Sequence, residues 1–161
     1  RVDDGHRVVF GRDGAPETDL PTAVGASSAI PGYFRPVEID GHLYVDGAAY
    51  SATNADLVIP TRPDLVIVSS PMSVARSAMR MDLRTAPRLH FRRRLAQEVR
   101  RLGHAGIPVV AFQPSPEDRE VMGGDTMAEG RDAAVVEQVH ATTLRRVARA
   151  DVAPRLAAIT T

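Results

Sequence analysis

The sequence predicts an α/β fold built on a mostly parallel sheet. Two continuous apolar runs, Leu65 to Ser69 and Pro108 to Phe112, have the composition of strands that are covered on both faces. Between these runs, Pro87 to Gly103 predicts a helix with one apolar face, formed by Phe91, Leu95, Val99 and Leu102. A strand, a helix and a strand in this order are typical of a parallel connection in an α/β layer.

A further helix is predicted from Arg131 to Ala150. Its apolar residues recur at helical spacing, as they do in helices that cover a sheet. We therefore expect these residues to form a buried stripe: Val136, Val139, Leu144 and Val147.

The first third of the sequence predicts short elements separated by turns. Residues 7–11 (RVVFG) have the apolar character of a short strand. A helix is expected to begin near Asp19 and to run from Leu20 to Ile30, where small residues suit close packing against a neighbour. The Pro31-Gly32 pair then ends this helix.

A hairpin is predicted next, because Val37 to Ile39 and Leu43 to Val45 flank Asp40-Gly41. This dipeptide favours the left-handed dihedral angles of a two-residue hairpin turn. Alternation along the second strand places Leu43 and Val45 on the core side, opposite His42, Tyr44 and Asp46.

Composition excludes several classes of function. The 161 residues suffice for one domain with its own core. The 20 basic and 20 acidic residues give no net formal charge, so we expect no nucleic-acid partner. The sequence has no Cys and no apolar run that could span a bilayer, which excludes disulfides and an integral membrane protein. Its histidines lack the spacing of metal ligands, and we expect neither a metal nor a cofactor.

Residues Ala26 to Ala48 carry the most informative pattern. A small-residue helix ends at Pro31-Gly32, an aromatic pair follows, and a hairpin then leads into Asp46-Gly47-Ala48. This combination resembles the C-terminal signature of the patatin-like phospholipases, and a weaker similarity continues through residues 109 to 127 and the last helix. The resemblance implies a three-layer α/β/α fold and a lipid acyl hydrolase with a Ser/Asp dyad. It also implies that Asp46 is the general base and that Gly47 and Ala48 support its motif.

The nucleophile of that family lies in a G-x-S-x-G motif that precedes the Asp, and the sequence contains neither this motif nor the Gly-rich oxyanion loop. We therefore expect residues 1–161 to be the C-terminal part of a single patatin-like domain, with the Ser in an N-terminal part. The 161-residue chain alone is then expected to be inactive, because a general base without a nucleophile has nothing to activate.

Two alternatives stay open on the sequence alone. The first is a non-catalytic α/β domain that binds a lipid or a partner on the same scaffold. The second is an esterase that uses Ser27, since Gly25-Ala26-Ser27-Ser28-Ala29 nearly matches a nucleophile elbow. Against it, the preceding residues make a poor buried strand and Pro31 follows too soon for a long helix, so Ser27 and Ser28 are interpreted as packing residues.

His42 is not expected to complete a triad with Asp46, because four residues of a straight strand separate them by about 13 Å. We interpret His42 as a surface residue beside the turn. The Arg-rich face of residues 88–101 allows transient contact with a membrane surface. The other expected partners are a lipid or ester substrate, the N-terminal part and a second copy that pairs at open sheet edges. These features favour a cytoplasmic or peripheral membrane location.

Overall fold

A computed structural model describes residues 1–74, 86–123 and 130–157. The chain divides into two compact units, Arg1–Asn54 (unit 1) and Ala55–Thr161 (unit 2). The α/β class is confirmed, and the three-layer arrangement stays a prediction. The helices and strands are α1 (Leu20–Ser27), β1 (Val37–Ile39), β2 (His42–Tyr44), β3 (Val66–Ser69), α2 (Ala86–His104), β4 (Val109–Phe112), α3 (Pro116–Met122), α4 (Asp132–Val147) and α5 (Ala153–Ala157).

The predicted hairpin is present in unit 1. Strands β1 and β2 pair antiparallel, with Ile39 opposite His42. The two turn residues both adopt left-handed dihedral angles, with φ of 51° at Asp40 and 72° at Gly41. These angles match the twist of the flanking strands, which is why Asp-Gly suits a two-residue hairpin turn.

The predicted faces of the second hairpin strand are wrong. Tyr44 is 4% exposed and belongs to the core, whereas Leu43 is 41% exposed. Tyr44 pairs with Val37 across the hairpin and shares the face of Ile39, and its ring packs edge-on against Phe10 with 5.4 Å between the ring centroids. The large aromatic ring therefore fills the core of unit 1 better than the Leu43 side chain would.

The strand predicted over residues 7–11 is absent. Val8 and Phe10 still pack against the core of unit 1, so their apolar character is used. The backbone instead turns, with the Arg12 amide donating to the Val9 carbonyl at 3.3 Å. Side-chain burial alone does not make a strand when the backbone groups pair locally.

Helix α1 begins as predicted, because Asp19 caps it and accepts a hydrogen bond from the Thr22 amide at 2.7 Å. Hydrogen bonds from Thr22 lower the pKa of the Asp19 carboxyl. The helix ends at Ser27, earlier than expected. Ser27 and Ser28 are exposed, and Ala26 is the buried residue of the helix, so the interpretation of these serines as packing residues is wrong.

Unit 2 contains the predicted strand, helix and strand, but the prediction that both faces are covered is wrong for β3, because Ile67 is 54% exposed. Strands β3 and β4 pair in parallel from Val66 with Val109 to Ser69 with Phe112. Helix α2 connects them in the chain, and its Leu95 and Leu102 join Val68 in the core, as the spacing predicts. The first turn of the 3₁₀ helix Ala55–Thr61 is held against α2, because the Glu98 carboxylate accepts from the Ala55 amide at 3.0 Å.

The buried stripe predicted on the last helix is wrong. Val136 and Leu144 on α4 are 67% and 57% exposed, Val139 is also exposed, and Val147 is only partly buried. The face of α4 that meets α3 is polar instead. Gln138 and Thr142 both donate hydrogen bonds to the Asp118 carboxylate. A buried carboxylate needs hydrogen-bond donors beside it, so the positions of α4 that contact Asp118 are polar and the exposed Val136 and Leu144 lie elsewhere on the helix.

Candidate active site

Asp46 lies two residues after the end of β2 and begins the next turn. Its backbone amide donates to the Ala29 carbonyl at 3.0 Å, which ties it to the chain just after α1. Its side chain caps the 3₁₀ helix Gly47–Ala49, with Oδ1 accepting from the Ala48 amide at 2.8 Å. Among the described residues no hydrogen bond reaches Oδ2, and the side chain is only partly buried. One carboxylate oxygen is thus fixed and the other is available.

Gly47 and Ala48 form the start of this 3₁₀ helix. Gly47 does not have a left-handed φ, so this turn does not depend on the conformational freedom of glycine. A Cβ placed on Gly47 would lie 3.6 Å from Asn54 Nδ2, which is ordinary van der Waals contact. Within unit 1, the backbone after Asp46 therefore has room for a small side chain.

Asn54 closes the turn from the other side. Its Nδ2 donates to the Ser51 carbonyl at 2.6 Å and to the Gly47 carbonyl at 3.4 Å. Its Oδ1 accepts from Arg7 Nη1 at 2.8 Å, and the Arg7 guanidinium lies 4.7 Å from the centroid of the Tyr50 ring. Neither Arg7 nor Asn54 could be predicted from the sequence, because neither belongs to a local pattern and 47 positions separate them.

Ser27, the alternative nucleophile, is the last residue of α1. A nucleophile elbow places its Ser between a strand and the start of a helix. Ser27 instead follows a helix, and its φ does not lie in the left-handed region. The local backbone therefore offers no elbow at this position.

His42 lies where the sequence predicts, on the surface beside the hairpin turn. Its Nδ1 is 2.7 Å from Asp3 Oδ2, and the side chain is partly exposed. The described contacts of Asp46 do not include His42. The structure thus gives His42 a surface carboxylate as its partner.

Among residues 1–74, 86–123 and 130–157, no cluster of three or more His, Asp or Glu side chains is arranged to hold a metal ion. No helix in these same ranges has the length and apolar character needed to cross a membrane.

Unit 2 contains an open groove of about 1180 Å³. It lies beyond the C-terminal ends of β3 and β4, with α3 and α4 as its walls. Apolar side chains from the sheet and the helices line the groove, among them Phe112, Met122, Val135 and Val139. Two arginines of α4, Arg145 and Arg146, also line it. None of the candidate residues from the sequence lies in this groove.

Comparison with known proteins identifies one region of similarity. Residues 1–59 match the family model of the patatin-like phospholipases. The match contains all of unit 1, including Asp46, Gly47 and Ala48, and it supports lipid acyl hydrolysis at the level of the family. No curated protein and no solved structure matches the chain.

The matched range does not include residues 109 to 127, for which the sequence suggests a weaker similarity. Of that stretch, residues 124–127 lie outside the described part of the chain. The similarity of unit 2 to the family therefore stays a prediction.

Proposed function

We propose that this chain supplies the general base of a patatin-like serine lipid acyl hydrolase, and that this base is Asp46. The observation that carries the proposal is the state of its carboxylate. Oδ1 is fixed by the Ala48 amide, Oδ2 has no hydrogen-bond partner among the described residues, and the whole turn lies in the matched range. A carboxylate with one oxygen anchored and one available can accept a proton in a defined direction.

The serine comes from polypeptide outside residues 1–161, since the sequence contains no G-x-S-x-G. In the first step, Asp46 accepts the serine proton while the serine oxygen bonds to the ester carbonyl carbon. The proton then passes to the departing alcohol as the ester bond breaks. Water releases the acyl group by the same sequence of proton transfers, which leaves the carboxylate ionised again. This chemistry requires no cofactor.

The test uses the complete protein that contains these residues together with a G-x-S-x-G segment. Asp46→Asn keeps the size of the side chain but cannot accept the proton, and turnover of p-nitrophenyl esters should fall by about 100- to 10,000-fold. Asp40→Asn is the matched control, because it makes the same change at an exposed residue of unit 1. Near-normal turnover by the Asp46→Asn protein, with unchanged folding, would rule out the proposed role.

The 161-residue chain provides an independent check on the origin of the nucleophile. We expect it to give no ester turnover above background and no labelling by a serine-reactive fluorophosphonate probe. Labelling that disappears in a Ser27→Ala variant would instead identify Ser27 as the nucleophile and contradict the proposal.

A further inference from the structure

We infer that Asn54 and Arg7 are positioning residues for Asp46; the inference rests on the proposed function. Asp46 is aimed by a hydrogen bond to the amide of Ala48, so its direction depends on where the 3₁₀ helix Gly47–Ala49 is held. Asn54 is the side chain that holds the end of this turn. Arg7 in turn holds Asn54.

The carbonyl groups explain why an amide is needed at this place. The Gly47 carbonyl accepts from the Tyr50 and Ser51 amides, each at 3.1 Å, and also faces Asn54 Nδ2. The Ser51 carbonyl accepts from Asn54 Nδ2 at 2.6 Å, and Ser51 is fully buried. Removal of the Asn54 amide would leave this carbonyl without that donor in a buried position, which is unfavourable.

Arg7 determines which way the Asn54 amide points. A guanidinium has only donors, so the amide oxygen of Asn54 must face Arg7 and the amide nitrogen must face the two carbonyls. The Arg7 guanidinium also stacks on Tyr50, which belongs to the same turn. One cation thus contacts the turn at two places.

The backbone at this position restricts the residue type. Asn54 has a φ of 47°, in the left-handed region that Asn adopts more readily than most residues. Asn54 therefore combines two properties: a backbone with a left-handed φ and an amide that bonds to the preceding turn. Glycine would keep the first property and lose the second.

The test measures kcat and KM in the complete protein. Asn54→Gly retains the left-handed backbone and removes the amide, so kcat should fall by about 10- to 100-fold with KM unchanged, because a misplaced base slows the chemical step and leaves substrate binding intact. Asp40→Gly is the matched control, as it removes an exposed side chain from another left-handed residue, with a φ of 51°.

Arg7 variants separate positioning from general stability. Arg7→Lys keeps a cation and a donor and should retain most of kcat, whereas Arg7→Met should reduce it to the level of Asn54→Gly. Thermal unfolding of every variant is recorded beside the kinetics. A kcat that falls only in proportion to the unfolded fraction would overturn the positioning role.

The outcomes distinguish this inference from the function on which it rests. Normal activity in Asp46→Asn would overturn the proposed function itself. Normal kcat in Asn54→Gly, beside an inactive Asp46→Asn, would overturn only the positioning role of Asn54 and Arg7. A loss of kcat in Asn54→Gly that exceeds the unfolded fraction at the assay temperature supports both.

Discussion

Two carboxylates, one in each unit, show how differently an aspartate can be used. In unit 2, Asp118 is buried and both of its oxygens accept hydrogen bonds, from the Ser115 amide at 2.8 Å and from the Thr142 hydroxyl at 2.8 Å. In unit 1, Asp46 is partly buried and only Oδ1 has a partner among the described residues. A carboxylate with hydrogen bonds to both oxygens stabilises the structure around it, whereas a carboxylate with one oxygen available can accept a proton.

The two units also differ in the contacts that hold each of them together. Unit 1 contains two turns made by neighbouring residues, the Asp40-Gly41 hairpin and the turn at Asp46, and it is the part that matches a known family. Unit 2 depends on contacts between residues far apart in the sequence, as in the core of Val68, Leu95 and Leu102. A family motif is recognised most readily where its residues are neighbours in the sequence. Unit 1, which matches the family, is also the unit that contains the candidate base Asp46.

The largest effect on stability is expected in the core of unit 2. Leu102 is fully buried, and Leu102→Ala should lower the free energy of unfolding of this unit by about 2–5 kcal/mol. Leu144→Ala is the control, since Leu144 is mostly exposed and should cost less than about 0.5 kcal/mol. Urea denaturation followed by circular dichroism measures both. Equal losses would mean that the α4 stripe is buried after all, as the sequence alone predicts.

Asp118→Asn should give the next largest effect, a loss of about 1–3 kcal/mol in the free energy of unfolding. In the variant, the NH₂ group of the new side chain would face a hydrogen-bond donor that bonds to a carboxylate oxygen in the unchanged chain, so that hydrogen bond would be lost. Burial raises the pKa of Asp118, but hydrogen bonds from the Ser115 amide and from the Thr142, Ser115 and Gln138 side chains outweigh it and lower the pKa overall. Because the pKa of Asp118 is lower in the folded state, its ionised carboxylate stabilises the fold at pH values above the unfolded-state pKa of about 3.9. This stabilisation is lost as the pH falls through the folded-state pKa.

The difference in stability between Asp118→Asn and the unchanged chain should therefore be constant near neutral pH and shrink as the pH falls below about 4. Denaturation series at several pH values measure this difference. A gap that stays constant down to low pH would contradict an ionised, hydrogen-bonded Asp118. Glu120→Gln, on α3 but without the buried network, is a suitable control.

A smaller effect is expected in the hairpin of unit 1. Gly41 has a φ of 72°, so Gly41→Ala forces an L-residue into the left-handed region and should cost about 1–2 kcal/mol. Amide hydrogen exchange in β1 and β2 should report the loss locally. Unchanged protection of these strands would show that the turn residues do not control the hairpin.

The smallest effect on stability belongs to Gly47→Ala, which should change the free energy of unfolding by no more than about 1 kcal/mol, with either sign. The reason is that Gly47 lacks a left-handed φ and a Cβ there has space within unit 1. If the serine of the complete protein approaches Asp46 across this glycine, the same substitution should still lower turnover. Unfolding and ester turnover, measured on one preparation, separate the two effects.

The sequence predicted those elements that depend on neighbouring residues. Asp40-Gly41 fixes its turn by backbone preference, and Asp19 caps α1 through a bond to a residue three positions on. The faces of β2 were missed, since a strand of three residues gives too little alternation to place Tyr44. Ser115 and Asp118 form a capping box whose Ser-x-x-Asp spacing is visible in the sequence, so α3 could have been predicted from it.

The remainder required the three-dimensional arrangement. The exposed stripe of α4 follows from the polar contact of Asp118 with Thr142, residues 24 positions apart, which no periodicity reveals. The hydrogen bond from Arg7 to Asn54 joins residues that are even farther apart, at 47 positions. Asp46 could be proposed from the sequence because its motif is local, whereas Arg7 and Asn54, which bond at its turn, could not.

The hydrogen bond from the Asp46 amide to the Ala29 carbonyl closes the intervening chain into a loop with fixed ends. Within this loop, an insertion or deletion of one residue in the hairpin would shift the pairing of β1 with β2. Such a shift turns every side chain to the other face of the strand, so Tyr44 would leave the core. Residues 31–36 are all exposed and lie outside any strand or helix. Evolutionary insertions and engineered tags or labels in this region should therefore be accommodated at residues 31–36, while the spacing from Val37 to Asp46 stays constant.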